Sequence, residues 1–353
     1  MKVNSNNIIY VYPSISTFIE KDIDLLSRKY NVTTNTYPWL NKRKFFINLI
    51  KQLFFLLRST RKSQAVFVMF AGHWSILPVL ICKLFSTPCF VILGGSDCVS
   101  YPEFNYGSLR KSSLRFSIKM SIKYCTKLIP VAKELMEYES NYFDAKFKKQ
   151  GILSFFKNIK TPWTEIPNGY LKTSYPSSKR VENSFISIAK IEDETRFVLK
   201  GIDHIEYLAK KNRNFSFILI GIVNQQILER LNNVENITTH SFLSQSEIKT
   251  HLRNAEYYLQ LSISEGHPNA LCEAMSEGCI PIGSDVSSIP RIIGDTGFIV
   301  PKCDSAAIVS QINKITSDLD KLDKEALSRS ANERINNMFN LELREKMLFD
   351  LLG

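Results

Sequence analysis

Short apolar, β-branched and aromatic runs recur at 8–12, 65–70, 89–93, 127–131 and 163–167, with helical spacing of apolar residues between them. A second series follows at 184–189, 215–221, 256–261, 279–283 and 297–300. Continuous apolar runs alternating with helical patterns predict buried parallel strands joined by helices. Two such series predict an α/β chain with two doubly wound parallel sheets. The turn-rich segment from Asn168-Gly169 to Ser177-Ser178 marks the boundary. The expected division is a first domain over 1–170, a second over 171–340 and a closing helix in 341–353, from Leu341 to Leu352.

Two stretches depart from this rhythm. Ala65 to Cys82 is apolar enough to suggest a membrane span, but Gly72-His73-Trp74-Ser75 and Pro78 interrupt it. A strand, a turn and a short helix over Ile76–Phe85 are predicted instead. Lys42 to Lys62 holds seven basic residues and no acid. On a helix, Lys44, Asn48, Lys51, Gln52, Ser59 and Lys62 form a narrow polar stripe, and Phe45, Phe46, Phe54, Leu49, Ile50, Leu53, Leu56 and Leu57 cover the rest. Phenylalanine excess with basic ends suits a helix lying on an anionic membrane surface, although part of it must pack on its sheet.

At 353 residues the chain exceeds one ordinary core, and 44% apolar with 22% charged residues is the balance of a globular enzyme. The net charge of +11 is uneven: residues 1–180 carry +17 and residues 181–353 carry −6. The first half therefore suits an anionic partner, by charge alone a nucleic acid, an anionic lipid or a phosphorylated acceptor. No base-reading motif accompanies the charge, so nucleic acid is not expected. Seven scattered cysteines without a Cys-x-x-Cys predict reduced thiols in a cytoplasmic setting and no zinc. The first residues lack the apolar core of a secretory signal.

The densest chemistry lies in SISEGHPNALCEAMSEGCIPIG. Pro268 suits a first helical position and Gly278 a stop. Asn269 and Glu273 then share one helix face, while Ala270, Leu271, Ala274 and Met275 form the buried one. Glu265 precedes the helix. Amide donors and a positive dipole end are thus flanked by two carboxylates, an arrangement suited to a diphosphate joined to two diols.

Ser262, Glu265, Gly266, Pro268, Asn269, Leu271, Glu273, Ala274, Met275, Gly278 and Pro281 resemble the signature of the retaining GT-B glycosyltransferases, glycosyltransferase family four above all. The resemblance implies two Rossmann-like domains facing a cleft, the last helix returning to the first domain, and a nucleotide sugar as co-substrate with no cofactor and no metal. It implies that Glu273 binds the ribose hydroxyls and that Glu265 stands by the donor sugar. Gly266 and the amides of Asn269, Ala270 and Leu271 would meet the phosphates. Ser187-Ile188-Ala189-Lys190 and Lys200-Gly201-Ile202-Asp203 resemble two further family segments. They make Lys200 and Lys190 candidates for neutralising the departing diphosphate, with lysine and alanine at 190 and 189 where the family has arginine and glycine. Gly221 matches a glycine that follows a strand near the base.

The first domain departs further. Tyr12-Pro13-Ser14-Ile15-Ser16 stands where the family has a diglycine loop, so the Ser14 and Ser16 hydroxyls are candidate substitutes. Gly94-Gly95-Ser96-Asp97 keeps Asp97 and Gly95 of a His-Gly-x-Asp segment but has Gly94 for the histidine. His73 and Arg110 complete the acceptor-side candidates, Arg110 heading a helix that also carries Lys111, Arg115, Lys119 and Lys123. Asp22/Asp24 and Asp318/Asp320 mimic a metal-binding Asp-x-Asp, but helix-like surroundings predict solvated carboxylates. The expectation is a retaining, metal-independent transfer to a saccharide or lipid-diphosphate-linked acceptor, in surface polysaccharide assembly, with the protein peripheral on the inner face of the plasma membrane. The alternatives are a degenerate transferase-like scaffold that binds a partner, or a nucleotide-sugar epimerase of the same fold.

Overall fold

The computed structural model describes residues 6–39, 41–176, 179–319 and 323–353. Ser177, Ser178 and Asp320 lie outside the described residues, as does the side chain of Lys42. The chain forms two compact units. One comprises Met1–Glu139, Lys149–Asn168 and Glu342–Gly353, the other Ser140–Lys148 and Gly169–Leu341.

The first unit alternates β1 (Asn7–Val11), α1 (Thr17–Ser27), β2 (Asn31–Asn35), α2 (Phe45–Ser59), β3 (Ala65–Met69), α3 (Ile76–Phe85), β4 (Cys89–Leu93), α4 (Ser112–Tyr124) and β5 (Lys127–Pro130). The strands form one parallel sheet in the order β2-β1-β3-β4-β5. Every residue of β3 and β4 is buried, as the unbroken apolar runs require. β2 was not foreseeable from apolar content: Asn-Val-Thr-Thr-Asn is an edge strand with one buried residue. The run at 163–167 is no strand. Trp163 makes a single bridge to Leu128, and Pro162 and Pro167, lacking N–H groups, cannot extend a ladder. A short antiparallel pair, β6 (Tyr138–Glu139) and β7 (Lys149–Gln150), and one turn of helix, α5 (Ile152–Phe155), complete this stretch.

α2 reverses the expected use of its faces. Its buried residues are Asn48, Gln52 and Leu56, whereas Phe46 is 74% and Phe54 69% exposed. Gln52 Nε2 donates to Asn35 Oδ1 (3.1 Å) and to the Trp74 carbonyl (3.0 Å), and Asn48 Nδ2 to the Pro38 carbonyl (3.2 Å). Asn48 and Gln52 turn inward because they are hydrogen-bonded there, while Lys44 and Lys51 of the same stripe stay exposed, as do Phe46 and Phe54. Among the described residues no helix is long and apolar enough to cross a membrane.

The second unit contains β8 (Val181–Ile191), α6 (Glu194–Leu199), α7 (Ile202–Lys211), β9 (Ser216–Ile222), α8 (Gln225–Asn232), β10 (Ile237–His240), α9 (Gln245–Asn254), β11 (Ala255–Gln260), α10 (Asn269–Ser276), β12 (Ile280–Ser284), α11 (Ile289–Ile293), β13 (Phe298–Val300), α12 (Ser305–Leu319) and α13 (Lys324–Met338). Its strands are parallel in the order β10-β9-β8-β11-β12-β13. Phe185 stacks between Phe217 and Tyr257 at centroid distances of 5.2 and 4.8 Å in its core. β10, Ile-Thr-Thr-His, is a second polar edge strand that the apolar pattern leaves out. Ser140–Lys148, expected in the first domain, belongs to this unit. The Cys303 N–H donates to the Tyr142 carbonyl (2.9 Å) and Lys302 Nζ to the Asn141 carbonyl (3.1 Å).

The closing helix α14 (Leu341–Asp350) lies, from Glu342 onward, in the first unit. Arg344 reaches α1, where its Nε and Nη2 donate to the two oxygens of Asp22 at 2.6 and 2.7 Å. Asp22 is 1% exposed and also accepts from Tyr10 Oη at 2.9 Å. The expectation of a solvated carboxylate at Asp22 is therefore corrected, since Arg344 neutralises it inside the core; Asp24 is exposed as expected.

Candidate functional site

Ligands of open parallel sheets bind beyond the carboxyl ends of the strands, and in the second unit the loop after β11 and the start of α10 carry most of the candidates. Between β11 and α10 the chain makes an eight-residue loop whose backbone is fixed from two sides. The Ile263 N–H donates to the Leu199 carbonyl (2.9 Å), and Ser288 Oγ donates to the Gly266 carbonyl (2.6 Å). Gly201 is left-handed (φ +68°), and a Cβ there would lie 2.2 Å from the Leu261 carbonyl oxygen. That close approach draws the end of α6 against the loop.

The result joins two residues far apart in sequence. Lys200 Nζ donates to Glu265 Oε1 at 2.6 Å, with side chains 25% and 11% exposed. Gln260 Nε2 donates to the same oxygen at 3.0 Å and to Ser262 Oγ at 2.7 Å. The single Tyr258 Oη proton is shared between Gln260 Oε1 at 3.3 Å and the Ile188 carbonyl at 3.5 Å. Burial pushes the Tyr258 phenol well above its ordinary range, and the charges of Glu265 and Glu273 add to that. Both carboxylates thus act on one buried phenol.

α10 begins one residue later than expected, because Pro268 is its cap residue with extended ψ of 101°. No side chain caps the helix, so the dipole end and the first-turn amides of Asn269, Ala270 and Leu271 point into the loop region. Glu273 sits half-buried one turn in. The Asn269 side chain is held by Tyr170, whose Oη donates to Asn269 Oδ1 at 2.6 Å and stands 3.2 Å from His267 Nδ1.

Lys190 is placed differently. It lies in a β8 irregularity between Ile188 and Ile191, is exposed, and pairs with Glu192. Gly221 is inside β9, not after it; its φ is +101° and a Cβ would meet the Ala189 carbonyl oxygen at 2.3 Å. It thereby accommodates the β8 irregularity.

In the first unit, Ser14 is exposed in the β1–α1 loop. Asp97 is 1% exposed and accepts N–H bonds from Ala71 (3.0 Å), Gly94 (3.2 Å) and Gly95 (3.0 Å). Burial raises its pKa while those bonds oppose the rise. Asp97 therefore ties the loops after β3 and β4 together and presents no open carboxylate. At Gly94 the Phe70 ring packs close against the backbone, and a Cβ there would lie 2.2 Å from Phe70 Cε1 unless that side chain shifted. His73 Nδ1 is 2.8 Å from Ser117 Oγ, which donates to the Ser113 carbonyl (2.9 Å). The hydroxyl proton being committed there, Nδ1 carries the ring proton and Nε2 is left as an acceptor. Burial lowers the His73 pKa and keeps the ring neutral. Arg110 is half-buried, and its Nε has no hydrogen-bond partner.

Sequence reasoning missed Gln260, Tyr258 and Tyr170. The signal for the first two was a pair of polar residues on one face of a strand otherwise reading as core.

Residues 183–318 match the family described as Glycosyl transferases group 1. The chain is 22% identical to Protein CapJ of Staphylococcus aureus over 306 residues, 83% of this chain and 73% of that protein. Among solved structures it is similar to a sucrose-phosphate synthase from Thermosynechococcus elongatus, with 14% identity, a TM-score of 0.71 and 98% of each chain covered. It is equally similar to HepE of Anabaena in complex with UDP, with 12% identity, a TM-score of 0.71 and 98% of this chain and 99% of that one covered. The fold is the GT-B architecture of parallel-sheet units shared with these structures, and the matched domain is a glycosyltransferase domain. The chain's glycosyl transferases group 1 domain lies in residues 183–318.

Proposed function

We propose that the protein moves a sugar from a nucleoside diphosphate to a hydroxyl of a saccharide or lipid-linked saccharide, with retention of anomeric configuration and without a metal, in surface polysaccharide assembly. The observation that carries this reading is the pairing of Lys200 with Glu265 beside the uncapped start of α10, with Glu273 one turn further on. Lys200 and the helix amides supply positive charge where a diphosphate leaves. Glu273 offers a carboxylate to vicinal hydroxyls, and Glu265 one to the charge that builds on the sugar ring. With an ammonium and amides in that role, no metal is required. The nucleoside diphosphate bound by the similar HepE structure supports the donor class.

For the acceptor, the first unit offers His73 Nε2 as a neutral hydrogen-bond acceptor and the cationic stretch from Arg110 to Lys123. The outward phenylalanines of α2, with Lys51 and Arg58 on the same helix and Arg43 and Lys44 just before it, support a peripheral position on an anionic bilayer. Leu84 of α3 and Phe116 of α4, 68% and 61% exposed, extend the apolar surface of this unit.

The reading is tested by incubating the purified protein with UDP-, GDP- and dTDP-sugars and lipid extracts, measuring nucleoside diphosphate release and assigning the product anomer by NMR. Release with one donor and a retained anomer supports it; inverted product or no release with any donor overturns it.

A further inference from the structure

Glu265 Oε1 is shared by two donors of different kinds, the Lys200 ammonium and the Gln260 amide. Their fates differ once a diphosphate arrives. An ammonium on a flexible stem follows the larger negative charge, so the pair with Glu265 must open for Lys200 to serve the leaving group. The Gln260 amide has no such freedom. It is 6% exposed, its second N–H is engaged by Ser262 Oγ, and its carbonyl oxygen accepts from Tyr258 Oη. The Glu265 carboxylate, which can only accept, fixes which end of the amide faces the loop, and the Tyr258 hydroxyl, whose proton is shared with the Ile188 carbonyl, supports that orientation.

We infer that Gln260 is a positioning residue for Glu265: it keeps the carboxylate in its catalytic place when Lys200 leaves it for the donor diphosphate. The inference rests on the proposed transferase reading and goes beyond it, because it assigns the role to a neutral amide of β11 that acts through Glu265. A neutral donor suits this task. It orients the carboxylate without cancelling the charge that the developing cationic ring requires. Tyr258 acts one step further back, by setting the amide.

The variants Gln260→Leu and Tyr258→Phe test this in the full chain. Leucine keeps the volume and removes the donor, and phenylalanine keeps the ring and removes the proton. For Gln260→Leu, kcat should fall about tenfold or more, while the donor KM and the Kd for UDP, GDP or dTDP, whichever the wild type binds, stay within about twofold. Tyr258→Phe should lower kcat less, again without moving the Kd. Unchanged kcat in Gln260→Leu overturns the inference. So does a parallel loss of diphosphate affinity and thermal stability, the mark of a merely structural residue. A wild-type chain that binds no nucleoside diphosphate overturns the transferase reading itself, and the inference with it.

Discussion

Asp22 and Arg344, 322 positions apart, form a two-bond ion pair that is 1% and 3% exposed. Arg344 spends a third nitrogen, Nη1, on the Ile166 (2.9 Å) and Pro167 (2.6 Å) carbonyls, which end the first unit's chain path before the second begins. One side chain therefore fastens α14 to α1 and to the segment leading out of the first unit.

Removing one partner leaves the other charge buried. Asp22→Ala should destabilise the first unit by about 3–5 kcal/mol, read as a lowered urea midpoint. Arg344→Met should cost a similar amount. A midpoint unchanged in both would show the helix held by apolar packing alone.

Glu273→Ala should weaken nucleoside diphosphate-sugar binding by about ten- to a hundredfold, the value of charge-assisted hydrogen bonds to two hydroxyls. Calorimetric titration checks this; an unchanged Kd in a folded variant removes Glu273 from the donor site.

Lys200→Ala should reduce turnover more than affinity, since charge on the leaving group peaks in the transition state. Activity should persist in EDTA. Loss in EDTA restored by magnesium or manganese contradicts the metal-independent account.

The face of α2 calls for a vesicle experiment. Each Lys or Arg near an anionic surface contributes about 1 kcal/mol, and Phe46 and Phe54 are free to insert. Arg43→Glu with Lys44→Glu, and separately Phe46→Ser with Phe54→Ser, should each release the protein from phosphatidylserine vesicles. Donor binding should be untouched. No co-sedimentation of the wild type at low salt contradicts the docking.

The alternation of apolar runs made the parallel sheets legible, because strands buried on both faces must be apolar throughout. Edge strands escape that rule, which is why Asn31–Asn35 and Ile237–His240 were silent. The motif from Ser262 to Pro281 made Glu265 and Glu273 legible, but no local pattern could show that Lys200 ends 2.6 Å from Glu265. That contact depends on Gly201 and on the Ile263–Leu199 hydrogen bond. α2 was legible as a helix but not in its orientation. Asn48 and Gln52 read as a solvent stripe, and only their acceptors at Pro38, Asn35 and Trp74, on other segments, turn them inward.

The most direct test compares the wild type with Glu265→Gln for sugar transfer and for nucleoside diphosphate binding in the same preparation. Glutamine leaves the shape but removes the negative charge that pairs with Lys200 and is offered to the sugar. The account predicts that diphosphate binds at least as tightly as to the wild type, while transfer from the donor sugar falls about a hundredfold or more. Transfer at the wild-type rate in Glu265→Gln, or loss of diphosphate binding together with transfer, would contradict it.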